Sequence, residues 1–427
     1  MSARGNDFYI AERDGANPRK FATAPDFPSN VSFSPDGTRF RFTVADQART
    51  TFAIWEARAD GSDMHPSFPG WHNPPAECCG KWTADGRYYV FQNLLDNNIW
   101  IVPDRSDWWR KTSREPIQLT TGPVQFSFPL SSTDGKQLFV VGVQPRAELV
   151  RYDAKSGEFV PFLGGISAGE VEVSRDGKWV IYVTYPDRTL WRSKVDGSDR
   201  LQLTYPPMNA ALAHWSPDGQ QIAFAGLAFG KPTKVFLISR DGGSPQALTA
   251  DAAQETDPTW SPDGTTLAFG HHDPVHAEQT FIALFDLKTR RLAELPGSRQ
   301  IFAPRWSPDG RYIVALSSDN NKLMLYDVKN QKWRELATNL KTPNLGYMTW
   351  SADSADLYFN ANVAGEGGYF RLRIGDSKLE RLIDLNRIKQ FPDFFNGFWT
   401  GLGPGNTPLF ARDISTQEIY ALDLELP

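Results

Sequence analysis

The sequence predicts an all-β protein, a β-propeller of four-stranded blades, on three observations. A short turn motif recurs eight times, the copies are evenly spaced, and each is followed by the same succession of strand-like segments. The motif reads FSPDG at Phe33–Gly37, WTADG at Trp82–Gly86, SSTDG at Ser131–Gly135 and VSRDG at Val173–Gly177. It continues as WSPDG at Trp215–Gly219, Trp260–Gly264 and Trp306–Gly310, and as WSADS at Trp350–Ser354. Its aspartates (Asp36, Asp85, Asp134, Asp176, Asp218, Asp263, Asp309 and Asp353) are 42 to 49 residues apart. Four strands in about 40–45 residues is one propeller blade.

Each blade follows one plan. A first strand ends at the Trp or its substitute, and Ser opens a tight turn that Pro, Asp and Gly complete, Gly supplying the left-handed conformation. A second strand such as QQIAFAG or TTLAFGH follows, then a third such as KVFLISRDG, and an edge-like fourth such as SPQALTA. The Trp side chains (Trp82, Trp215, Trp260, Trp306 and Trp350) are expected to wedge between blades, and Asp85, Asp218, Asp263 and Asp309 to hold turns rather than calcium. A ninth, degenerate unit at Asn396–Asp413 keeps Trp399, loses the Asp-Gly turn near residue 403, and runs into EIYALDLEL. At the other end DFYIAERDG and PRKFATA read as third and fourth strands. The expectation is therefore one domain over residues 1–427, a ring of nine units closed by N- and C-terminal strands completing one blade. An eight-bladed ring with a spare hairpin is the alternative.

Composition narrows the function. The 427 residues carry a net charge of −5, which disfavours a nucleic-acid partner, since such binding needs a basic field. No apolar run reaches the roughly 18 residues of a membrane span, and the opening MSARGNDFYIAERDG has no apolar signal core.

In a propeller the loop entering the first strand and the loop between second and third strands share the face on which ligands bind. Glu77, Cys78 and Cys79 enter the first strand of their blade and fall on that face, as do Glu255, Asp257 and Tyr347. The vicinal cysteines, the only two in the chain, have three readings: reduced packing thiols, which is the ordinary case; a vicinal disulfide in an oxidising compartment; or soft-metal ligation or redox sensing, which the charge of Glu77 opposes. The segment GHHDPVHAE places His271, His272, Asp273, His276 and Glu278 in one loop. Those histidines could hold a divalent metal, although a solvated loop explains them as well. No cofactor is otherwise expected. Gly165–Gly169 matches G-x-S-x-G by accident, because the elbow needs a strand–turn–helix setting. Trp108, Trp109 and Arg110, in the long connection at Asp104–Pro116, are candidates for a protein contact.

The WSPDG copies followed by Ile or Leu, Ala and Phe resemble the TolB-like propeller repeat over nearly the whole chain. The segments PGWHNPPAECCGKWTADGRYYVFQ, RAELVRYDAKSGEFVPFLGGIS, TLWRSKVDGSDRLQLTYPPM and STQEIYALDLELP are most similar to the propeller region of certain bacterial regulators. In those, the propeller follows a winged helix and a single membrane span, neither of which this sequence contains. The resemblance implies a sensor or scaffold propeller that binds a protein, a peptide or a small envelope ligand. It also implies a periplasmic or otherwise extracytoplasmic site for the propeller, the cytoplasm being the alternative. The departure suggests a fragment or short form of a longer regulator. The class that competes with the scaffold is a metal-dependent hydrolase or lyase acting on a saccharide or lactone, centred on His271–His276 with Glu255 and Asp257.

Overall fold

The computed structural model describes residues 2–46, 50–104, 115–273, 279–336, 345–363, 366–393 and 397–424. The blade turns share one hydrogen-bond pattern. At Trp215–Gly219 the Ser216 hydroxyl donates to Asp218 Oδ1 (2.6 Å), Gln220 N donates to the same oxygen (3.0 Å), and Gln221 N donates to Ser216 Oγ (2.9 Å). Gly219 takes φ 66°, where any Cβ would be strained. Ser261 with Asp263, Ser307 with Asp309 and Ser351 with Asp353 repeat the pattern, and Thr83 substitutes for Ser beside Asp85. Each bond contributes about 1 kcal/mol net, so the motif fixes where one strand stops and the next begins.

The buried indoles then tie successive sheets together. Trp215 Nε1 donates to the Glu172 carbonyl (3.2 Å), Trp260 Nε1 to the His214 carbonyl (3.1 Å) and Trp350 Nε1 to the Arg305 carbonyl (2.9 Å). Each acceptor lies on the first strand of the preceding sheet. Trp306 departs from this and donates to Gly310 of its own turn (3.3 Å). Trp82 Nε1 is buried with no partner among the described residues.

Among the described residues ten antiparallel sheets result, lettered A to J in chain order, and they fall into two compact units where a single ring was expected. The first unit holds sheets A (strands Ser2–Arg4, Asp7–Ile10 and Arg19–Thr23), B (27–66), C (77–118) and D (Gln125–Ser131, Gln137–Gln144 and Thr416–Asp423). The second holds E (Ala147–Asp153 and Glu158–Pro161 with Thr400–Gly403 and Thr407–Asp413), F (168–202), G (209–247), H (254–294), I (301–336) and J (346–384). In this second unit the six first strands touch in the cyclic order F, G, H, I, J, E and back to F, so its sheets close on themselves.

The strand pairing corrects the expected closure. The degenerate unit near residue 403 does supply two inner strands, but they pair with Ala147–Asp153 (Ala147 opposite Asp413, Arg151 opposite Leu409), not with the N-terminal strands. Asp7–Ile10 already has partners on both sides within sheet A, through two local hairpins. Thr416–Asp423, which competed with it for the third position, pairs along its whole length with Gln137–Gln144. Both segments are therefore third-position strands, in different sheets. In the closing sheet a single 3-10 turn at Pro404–Asn406, with Gly405 at φ 68°, replaces the missing Asp-Gly turn.

A feature of the first strands has no counterpart in the motif. Sheets B, C, D, F, G, H, I and J each have a register shift in that strand, with one residue in the left-handed region. The residues are Asn30, Cys79, Phe128, Glu170, Leu212, Asp257, Ala303 and Tyr347, each three before the Trp position of its blade. A bulge turns its side chain away from the regular alternation, and here it stands three residues back from the end of the strand that meets the blade turn.

Candidate functional site

In the six-sheet unit the first strands enclose a cavity of about 200 Å³. Its lining includes three bulge residues, Glu170, Leu212 and Tyr347, together with His214, Arg305 and Trp399. A second, larger space of about 610 Å³ opens toward the blade turns, bounded by Ser174, Pro217, Pro262, Pro308 and Gly403. The two share Glu172, His214, Thr259 and Trp306, so they are successive parts of one channel.

Beside the smaller cavity lies a buried polar network. Glu170, 5% exposed, accepts from Leu212 N and from the Tyr185 hydroxyl (3.4 Å). The Tyr347 hydroxyl donates to Asp393 Oδ2, and Gly397 N donates to Asp393 Oδ1 (2.9 Å). Burial pushes the Glu170 carboxyl up to about 7, against the Leu212 N–H that favours its charged form, and the nearby Asp393 raises it further. Burial also lifts both phenols, Tyr185 and Tyr347, well above their ordinary range, and it lowers the pKa of the Arg188 guanidinium. Both tyrosines are thus fixed as protonated donors across the physiological range. Around the channel wall, Arg305 Nη2 binds Asp257 (2.9 Å), and His214 Nδ1 lies 3.3 Å from Glu172 Oε2. The Thr400 hydroxyl, on the closing strand, is buried without a partner among the described residues.

The expected site residues are dispersed. Tyr347 lines the cavity, and Asp257 reaches the site through its ion pair with Arg305. Glu255 does not: fully buried, it accepts from Lys234 Nζ (2.7 Å), Val235 N (3.0 Å) and Thr249, a satisfied core ion pair. His271 and His272 are consecutive on the strand Thr266–His272, so their side chains point to opposite faces of the sheet. His271 stacks on Phe281 (4.6 Å) and lies 3.8 Å from Asp251, whereas His272 bonds Thr256 (3.1 Å), and burial pushes its imidazole below the ordinary value. The two cannot ligate one ion; His276 lies outside the described residues, as do Glu278, Trp108, Trp109, Arg110 and Lys111. No group of three metal-ligating side chains occurs among the described residues. Glu77, Cys78 and Cys79 belong to sheet C of the other unit.

Sequence reasoning missed Glu170, Tyr185, Arg188, Arg305 and Asp393. Glu170 alone had a usable signal, an acidic residue three before the Trp position of its blade. Asp393 lies in a segment with no blade motif.

No family model matches the chain. It is 28% identical over 160 residues to an uncharacterized protein of Agrobacterium fabrum, covering 34% of this chain and 54% of that protein. It is 31% identical over 109 residues to the Tol-Pal system protein TolB of Nitratidesulfovibrio vulgaris, covering 25% of this chain and 24% of the other. The chain thus spans about half or less of these relatives' lengths. A solved structure of an Agrobacterium tumefaciens protein assigned as a TolB matches with a TM-score of 0.51 at 17% identity, over 63% of this chain and 99% of that one. The fold is that of a TolB-like β-propeller.

Proposed function

We propose that the six-sheet unit is a non-enzymatic scaffold or sensor that binds a peptide segment of a partner protein at the Glu170–Tyr347 mouth of its channel. The observation that carries this reading is the buried Glu170–Tyr185 and Tyr347–Asp393 pairing beside a cavity walled by Trp306, Trp350 and Trp399. Apolar walls with a few fixed polar groups are what a binding cleft requires. The Asp257–Arg305 pair at the wall is mostly buried, its acidic side 14% exposed, and gives an incoming charged group something to exchange with. The match to TolB, a Tol-Pal system protein, supports a protein-binding role by analogy of fold.

The test is selection of peptides from a displayed library on the purified chain, followed by calorimetry. Tyr347→Phe and Asp257→Ala are each expected to weaken the selected peptide about tenfold or more, near 1.4 kcal/mol. Unchanged affinity in both variants would remove the site from this role. The reading requires no metal; a stoichiometric metal in elemental analysis, lost on His271→Ala, would favour the metal-dependent hydrolase or lyase instead.

A further inference from the structure

Cys78 and Cys79 lie on the first strand of sheet C and are joined as a vicinal disulfide. Cys79 is the bulge residue of that strand, at the repeat position held by Glu170, Leu212 and Tyr347 in sheets F, G and J. Those three line the cavity of the six-sheet unit. The repeat thus puts a sulfur where three other sheets of this chain present a cavity-lining side chain.

The two sulfurs differ in environment. Cys78 is 4% exposed, and its Sγ lies 3.9 Å from Gln92 Oε1. Cys79 is half-buried; Asn30 Nδ2, from the bulge residue of sheet B, lies 3.4 Å from its Sγ, and its own N–H donates to Thr43 Oγ1 (3.1 Å). Cys79 is therefore the more exposed of the two, with its sulfur facing a hydrogen-bond donor, and Cys78 is enclosed. Glu77, 2% exposed, keeps Oε1 without a partner among the described residues. Burial lifts its carboxyl to about 7, so its charge opposes an incoming anion less than the sequence suggests.

We infer that Cys78–Cys79 is a thiol–disulfide exchange site for a small thiol, with Cys79 as the sulfur attacked and Cys78 as the leaving group. In the first step a thiolate forms a bond to Cys79 Sγ, the Cys78–Cys79 bond breaks, and Cys78 departs as a thiolate that takes up a proton. In the second, another thiolate attacks the small-molecule sulfur of the mixed disulfide and releases Cys79, which Asn30 Nδ2 stabilises as a thiolate. The balance is two thiols oxidised to one disulfide and one protein disulfide reduced to two thiols, two electrons in all.

The experiment uses the full chain, purified without reductant, and glutathione as the probe. Blocking with N-ethylmaleimide before reduction is expected to add nothing, and blocking after excess glutathione to add two groups by intact mass. At limiting glutathione, fragmentation of the peptide between residues 78 and 79 is expected to place the mixed disulfide on Cys79 in roughly tenfold excess over Cys78. Asn30→Ala, which leaves both cysteines in place, should slow the second step, seen as accumulation of the mixed disulfide. Two alkylated thiols before reduction would overturn the proposal. So would a disulfide that glutathione reduces only once the chain is unfolded in denaturant, or adducts mainly on Cys78.

Discussion

The two units use one blade repeat and complete it differently. In the six-sheet unit every sheet has four strands, and the closing sheet is assembled from segments more than 240 residues apart, Ala147–Asp153 with Thr407–Asp413. Closure leaves Phe410 fully buried and Leu149 only 1% exposed. In the four-sheet unit, sheets A and D have three strands each among the described residues. One face of sheet D packs Leu138, Val140, Tyr420 and Leu422 into a core, while the other leaves Leu130 at 60%, Phe139 at 37% and Ile419 at 77% exposed. The repeat supplies adhesive faces to both units. Apolar area becomes stability only on the faces that a neighbouring sheet covers.

Four predictions sharpen this contrast, from the largest effect to the smallest. Phe410→Ala should cost about 3–5 kcal/mol in urea unfolding, because it empties a closed interface. Phe139→Ala, at a comparable place on sheet D, should cost less than about 1 kcal/mol, since that side chain is already 37% exposed. An equal cost at both positions would break the contrast.

The second prediction is a pH dependence from Glu170. Its folded carboxyl titrates near 7 and an unperturbed one near 4.5, so between these values the folded state holds a proton that the unfolded state has lost. Its contribution is therefore most favourable below pH 4.5 and declines as pH rises to about 7, by a few kcal/mol in order of magnitude. Glu170→Gln should flatten that slope in the unfolding of the six-sheet unit. Glu77→Gln should do the same for the four-sheet unit, for the same physical reason.

Third, Trp260→Phe keeps the wedge but removes the indole donor to the His214 carbonyl, at an expected cost of about 1–2 kcal/mol by denaturant unfolding. Fourth, Ile419→Lys should change stability by no more than about 0.5 kcal/mol, because its side chain is already in water. A large loss there would mean that the exposed face of sheet D has a partner.

What the sequence disclosed is what short-range chemistry controls. The Ser–Asp turn and its glycine act within six residues, so WSPDG is readable wherever it stands, and the Trp wedge follows from its place beside the turn. Closure was not readable, because DFYIAERDG and EIYALDLEL carry the same strand pattern and pattern does not encode a partner. The bulges left no mark in composition either: Asn30, Cys79, Leu212 and Ala303 have little in common chemically. Their shared trait is backbone conformation, which put Glu170 at the cavity and left Glu255, two residues before Asp257, in the core. The histidines show the opposite case. His271 and His272 look like a cluster in one dimension, and strand alternation separates them.

The measurement that tests the binding account most directly is amide hydrogen exchange with and without the selected peptide. The account predicts new protection at 170–172, 212–214, 303–306 and 347–350, the first-strand segments around the Glu170–Tyr347 mouth. Protection confined to the blade turns at 174–177, 216–219 and 307–310, or to sheets A to D, would contradict it.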